Sequence, residues 1–207
     1  MTRIVMLFSL AAVTVVVVAG VAWAVQRGTS GNDRIRGDAS KNTQYGLAGD
    51  DILVGRGGND VQYGGKGHDI VRGQQGNDMQ WGGPDKDSIR GGAGNDTQRG
   101  GPGDDRAPGG MLGSGGDDVQ IGGDGNDSID GSKGDDTIVG GAGRDHVSPA
   151  AGDDNIDSVD GIAGNDTVGC GDGNDTARVD RNTASDPDVT DHYFEDCEDV
   201  RFVNVGG

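Results

Sequence analysis

Glutamate is almost missing from this acidic chain: 33 of its 35 acidic residues are Asp, and only Glu195 and Glu198 are Glu. Surface solubility alone does not select the shorter acid so consistently, whereas a ligand leaving a tight loop does. Bulky side chains are scarce as well, with three Phe, three Tyr and two Trp in 207 residues, which argues against a conventional globular core. Basic residues number 17 against those 35 acids, and a net charge of −18 argues against nucleic acid and anionic membrane as partners. The three histidines, His68, His146 and His192, stand alone, so no H-E-x-x-H can form, and no G-x-S-x-G is present. Zinc-protease and lipase chemistry therefore lack their residues. The only cysteines, Cys170 and Cys197, make no C-x-x-C, which removes the usual redox motif.

What the chain does have is a period. Asp33, Asp51, Asp60, Asp69, Asp78, Asp87, Asp96 and Asp105 keep a nine-residue step, with Asn42 in the one missing slot. After a four-residue insertion the step resumes at Asp118, Asp127, Asp136, Asp145 and Asp154, and after a three-residue insertion at Asp166 and Asp175. The unit reads G-G-x-G-(N/D)-D-x-U-x, U being apolar, as in Gly64-Gly65-Lys66-Gly67-His68-Asp69-Ile70-Val71-Arg72, and sixteen copies run from Gly28 to Arg178. A repeat this short implies stacked coils of one supersecondary unit. Its glycines permit a tight loop with bare carbonyls, and its Asp sets a hard anionic oxygen beside them, a donor set that suits Ca²⁺. The x-U-x tail is strand-like, and nine residues make half a coil, so residues i and i+18 lie above one another. Paired acids such as Asp50-Asp51, Asp104-Asp105 and Asp117-Asp118 all fall at the fifth and sixth repeat positions, where the metal role accounts for them. No stretch remains for a catalytic domain, and the chain is read as non-enzymatic.

These motifs resemble the hemolysin-type calcium-binding repeats, also called repeats-in-toxin or RTX. The resemblance implies an all-β fold: a right-handed parallel β-roll solenoid, here of about eight 18-residue coils, with calcium between the turns. It also implies that the fifteen sixth-position aspartates given above are the side-chain ligands. Departures are Asn42 for the carboxylate, Ser40 and Asp85 for the fourth-position glycine, and Pro149-Ala150 and Cys170 for leading glycines. Incomplete calcium occupancy is expected near Asn42, near Asp87 and at both insertions.

The ends read differently. Arg3 precedes an apolar run from Ile4 to Val21, and Ala22-Trp23-Ala24 offers an A-x-A cleavage site, so residues 1–24 read as a signal peptide, with an uncleaved signal-anchor as the rival. Cleavage would remove one Arg and no acid, taking the net charge from −18 to −19. The expected compartment is extracellular, plausibly bacterial, where millimolar calcium fills modest sites. Residues 25–178 form the roll and 179–207 a C-terminal cap carrying the alternating Val200, Phe202 and Val203. An even cysteine count in an exported chain favours a Cys170–Cys197 disulfide, which would pin that cap.

The U positions carry a second period. They read Ile35, Gln44, Leu53, Gln62, Val71, Gln80, Ile89, Gln98, Ala107 and Gln120, and from Ile129 onward all are apolar. Two arrangements compete: Gln points inward as an amide ladder, or that face flips and Gln points out. With Gln inward, Tyr45, Tyr63 and Trp81 form an outward stripe, a candidate face for an extracellular glycan or protein, or simply aromatics stacked on each other. Arg36, Arg72 and Arg90 on the other column read as charge balance for the Asp loops.

Overall fold

Many x-U-x tails do not stop at three residues: the backbone stays extended through the next repeat's leading positions, giving six-residue strands such as Ile52–Gly57, Val61–Lys66 and Ile70–Gln75, whereas Met79–Trp81 and Asn155–Asp157 keep to three. The structure, a computed structural model, describes residues 9–10, 13–16, 24–108, 115–160, 166–182, 192–193, 197 and 199–205. After these strands the chain turns through the remaining loop residues and enters the opposite sheet. From Val13–Val16 onward successive strands thus alternate between an 11-stranded and a 10-stranded sheet, and the result is an all-β solenoid of about eight coils. At about 4.8 Å per strand this gives a rod about 38 Å long.

Register follows the period. Gln44 pairs with Gln62 and Gln62 with Gln80, all in parallel ladders 18 residues apart. The insertions do not break the stack, since Gln98 pairs with Gln120 and Ile156 with Ala177. Residues 109–114 and 161–165, which carry the extra length, lie outside the described residues.

The U side chains point inward, and the core falls into two halves. Ile35, Leu53, Val71 and Ile89 form one buried apolar cluster. Facing it, Gln26, Gln44, Gln62, Gln80, Gln98 and Gln120 are at most 1% exposed. The structure thus selects the inward amide ladder. Each Nε2 donates to the Oε1 one coil back: Gln44 to Gln26 at 2.7 Å, Gln62 to Gln44 at 2.6 Å, Gln80 to Gln62 at 2.9 Å, Gln98 to Gln80 at 3.3 Å and Gln120 to Gln98 at 2.9 Å. A second donation crosses the core to a carbonyl of the opposite sheet ten residues on, from Gln44 to Val54, Gln62 to Arg72, Gln80 to Arg90 and Gln120 to Asp130. Both hydrogens of these amides are therefore engaged, which removes the penalty for burying them. The second half is apolar on both columns, packing Ile129, Ile138, Val147, Ile156, Val168, Ala177 and Val179 with Cys170. The side chain of Ala107 lies outside the described residues.

At the ends, strand pairing continues beyond the repeats. Asp199–Val205 adds in parallel to Thr176–Asn182, setting Val200 over Ala177 and Phe202 over Val179. The Cys170–Cys197 disulfide ties this tail to the last repeat, with Cα atoms 5.1 Å apart. At the other end Val13–Val16 pairs with Asp33–Arg36, and Ala24–Arg27, which begins at the candidate cleavage residue, pairs with Asn42–Ala48. Ser9–Leu10 pairs antiparallel with Val13–Val16, the remainder of residues 1–23 lies outside the described residues, and among the described residues no helix is long and apolar enough to cross a membrane.

Candidate metal centre

The sixth-position aspartates line up in two columns, one along each edge of the roll. Asp33, Asp51, Asp69, Asp87, Asp105, Asp127, Asp145 and Asp166 form one, linked by hydrogen bonds in which each backbone N–H donates to the Oδ1 of the next. Asn42, Asp60, Asp78, Asp96, Asp118, Asp136, Asp154 and Asp175 form the other in the same way. These bonds measure 2.7–3.0 Å and span the insertions without change. All of these side chains are nearly inaccessible, at 1–3% exposure.

In ten of these carboxylates one oxygen is used and the other is not. Oδ2 of Asp51, Asp60, Asp69, Asp78, Asp87, Asp96, Asp105, Asp127, Asp136 and Asp154 is buried with no hydrogen-bond partner. The space beside it is specific. A Cβ built on Gly64 would meet Asp69 Oδ2 and, at 2.6 Å, the Gly82 carbonyl of the following coil. Gly46, Gly55, Gly73, Gly100 and Gly122 repeat that juxtaposition of an aspartate Oδ2 with a carbonyl one coil on. The first glycine is thus required for room, whereas Gly65 at φ 124° and Gly67 at φ 112° are required for backbone conformation. Leu47, Arg56, Gln74, Ser132 and Ala150 at the second position, and Asp85 at the fourth, adopt the same left-handed region without being glycine.

Burial is what these carboxylates resist. It pushes Asp78, Asp87 and Asp118 up to about 8, Asp51 and Asp136 to about 7, and Asp60, Asp69, Asp96, Asp105, Asp127 and Asp154 to about 6. The N–H donated from the coil before pulls the other way, and in several sites neighbouring carboxylates add to the rise. A buried carboxylate oxygen without a partner, set beside a backbone carbonyl, is the donor arrangement of a cation site. Among the described residues no three His, Cys, Asp or Glu side chains converge, so backbone oxygens must complete any coordination shell. That donor set, all oxygen and largely carbonyl, fits Ca²⁺ and not a thiolate- or imidazole-bound metal.

The model of the RTX calcium-binding nonapeptide repeat matches residues 27–62, 45–80, 81–107, 112–147 and 121–156. The chain belongs to this family. As an RTX protein it binds calcium through its nonapeptide repeats. Comparison with curated proteins gives no match.

Several RTX positions of this chain depart from the regular geometry. Asp33 Oδ2 accepts from the Thr29 N–H and hydroxyl, and Asp166 Oδ2 from the Ser158 hydroxyl, so local donors already engage these two oxygens. Asp85 Oδ2 accepts from Gly67 N–H at 3.2 Å. Outside the columns, Tyr45, Tyr63 and Trp81 do form one outward row. Their rings stack on one another, Tyr45–Tyr63 at 5.0 Å and Tyr63–Trp81 at 4.6 Å, with Arg27 5.4 Å from the centre of the Tyr45 ring. The facing sides of these rings are engaged with each other. Among the described residues, contact ion pairs join Arg178 to Asp157 and Arg201 to Asp199.

Proposed function

We propose that the fifteen repeat aspartates, Asp33 to Asp175, are the side-chain ligands of calcium ions held between successive loops, and that the chain is an exported, non-catalytic rod that folds when it meets calcium outside the cell. The observation that carries this reading is the set of buried Oδ2 atoms without partners in the two columns, with those of Asp51, Asp60, Asp69, Asp78, Asp105, Asp127 and Asp136 beside a carbonyl of the next coil. With 43 glycines, few large apolar residues and a net charge of −18, the metal-free chain is poorly placed to offset its conformational entropy, and an ion bound only by the folded state supplies the difference. Inside the cell the chain would stay extended for export. Outside, millimolar calcium would fold it after the segment 1–24 has directed it across the membrane. The cap of residues 179–207 and its disulfide suit that oxidising compartment.

Binding of a glycan to the Tyr45–Tyr63–Trp81 row has weaker support, because a sugar ring stacks on an aromatic face and these faces pack on one another. Circular dichroism and calcium calorimetry on residues 25–207 test the main reading. The expected outcome is a disordered chain in chelator that becomes β-rich and protease-resistant in millimolar calcium, with magnesium a poor substitute. An identical β signal in excess chelator would overturn it.

A further inference from the structure

One half-coil has the loop of a calcium site and the wrong atom in it. Asn42 is 1% exposed and keeps its place in the column, its backbone N–H donating to Asp60 Oδ1 at 2.7 Å as its aspartate counterparts do. The difference lies at the second side-chain atom. Beside Gly46, Gly55 and Gly64 the position close to the next coil's carbonyl holds an aspartate Oδ2; beside Gly37 it holds Asn42 Nδ2, at 2.9 Å from a Cβ built there, next to the Gly55 carbonyl. That nitrogen faces three oxygens. It donates to the Ser40 carbonyl in a very short contact, to Asp60 Oδ1 at 3.3 Å and to Asp38 Oδ1 at 3.4 Å. Turned over, the amide would press Oδ1 against the same oxygens, an arrangement only a cation would stabilise.

We propose that the Asn42 half-coil is closed to calcium, its side-chain amide standing in for the ion by donating N–H groups into the oxygen cradle that elsewhere receives the metal. The substitutions around it agree. Ser40 replaces the loop glycine, and its N–H is held by Asp38 Oδ1 at 2.8 Å, which fixes the loop without metal. Lys41 adds a positive charge at the fifth position, where later members of the column carry Asn59, Asn77 and Asn95. The first complete coil is thereby organised by covalently attached donors, and occupancy of the metal column on this edge begins one coil later, at Asp60.

The inference rests on calcium filling the other half-coils, so the test counts ions in three purified proteins by equilibrium dialysis and metal analysis. Asn42→Asp should bind one calcium more per chain than wild type. Asp78→Asn, which sets the same amide in a regular half-coil, should bind one fewer and still fold. An Asn42→Asp protein with the wild-type count, or one that calcium does not fold, overturns this inference while the loss in Asp78→Asn leaves the wider reading intact. A wild type that binds no calcium overturns both.

Discussion

Replacing Gln62 by Leu removes one link from the amide ladder, leaves two side-chain loose ends and takes one donor from the Arg72 carbonyl. Gln44 Oε1 loses the donor at 2.6 Å, and Gln80 Nε2 loses the acceptor at 2.9 Å while keeping its cross-core bond to Arg90. Each unsatisfied buried group costs about 1–3 kcal/mol, and the extra apolar surface of Leu returns about 1 kcal/mol, so the net loss is about 3 kcal/mol. The distinctive expectation concerns the double variant. In Gln44→Leu/Gln62→Leu the loose ends move to Gln26 and Gln80 but are still two, so the second substitution adds little. Independent side chains would lose about 6 kcal/mol together, whereas in the ladder two Leu return about 2 kcal/mol against the same two loose ends, so the double variant loses about 2, a coupling of about 4 kcal/mol between residues in contact. Urea unfolding in saturating calcium, followed by the fluorescence of Trp81 next to Gln80, reads out this half of the rod. Strictly additive losses would show that the amides do not act as a chain. A stabilised single variant would show that they are not buried as described.

Three further expectations follow from the metal columns and the cap. Burial raises eleven of the loop carboxyls from 3.8 to between about 6 and 8, so the stability they lend the metal-free roll is present below about pH 4 and is lost as pH rises through 6–8. In chelator, acidification from pH 8 to pH 4 should therefore restore β signal in circular dichroism, and the calcium midpoint should rise as pH falls below about 6; a chain disordered in chelator at both pH values contradicts this. Gly64→Ala should lose calcium and about 1–3 kcal/mol because its Cβ enters the space between Asp69 Oδ2 and the Gly82 carbonyl. Gly57→Ala, whose Cβ meets nothing closer than 3.6 Å, should be silent in the same titration, and equal effects at both positions would remove the cradle from the argument. Cys197→Ser should raise the calcium needed for folding, by loss of about 3–4 kcal/mol of loop constraint, and should promote oligomers in light scattering.

The strict phase of the aspartates was enough to read the coil, its 18-residue register and the partners across both insertions, because a hydrogen bond from each loop to the next depends only on that phase. The inward U positions and the Cys170–Cys197 pair were legible for similar reasons. The facing of Gln was not. A buried amide is tolerable only when both hydrogens are engaged, and the second acceptor comes from the opposite sheet, ten residues on, a spacing absent from a period of nine. Strand length was underestimated because glycines were read as loop, although Gly64 and Gly65 lie within Val61–Lys66. The tolerance of Leu47, Arg56 and Gln74 for left-handed backbone had no signal in the pattern, since it is set by the neighbouring coils. At Asn42 the change of residue was visible, but the direction of its amide was not.

The divided core gives the rod two different responses to temperature. Heat capacity of unfolding grows with exposed apolar surface and shrinks with exposed polar surface. Coils that bury Ile129, Ile138, Val147, Ile156 and Val168 therefore have a strongly curved stability profile, and those that oppose Ile35, Leu53, Val71 and Ile89 with glutamine have a flatter one. On cooling, the apolar half loses driving force while the hydrogen-bonded half holds its own. The end of the rod that is weakest in the cold is then the end that carries the disulfide, where a covalent tie restrains fraying at every temperature.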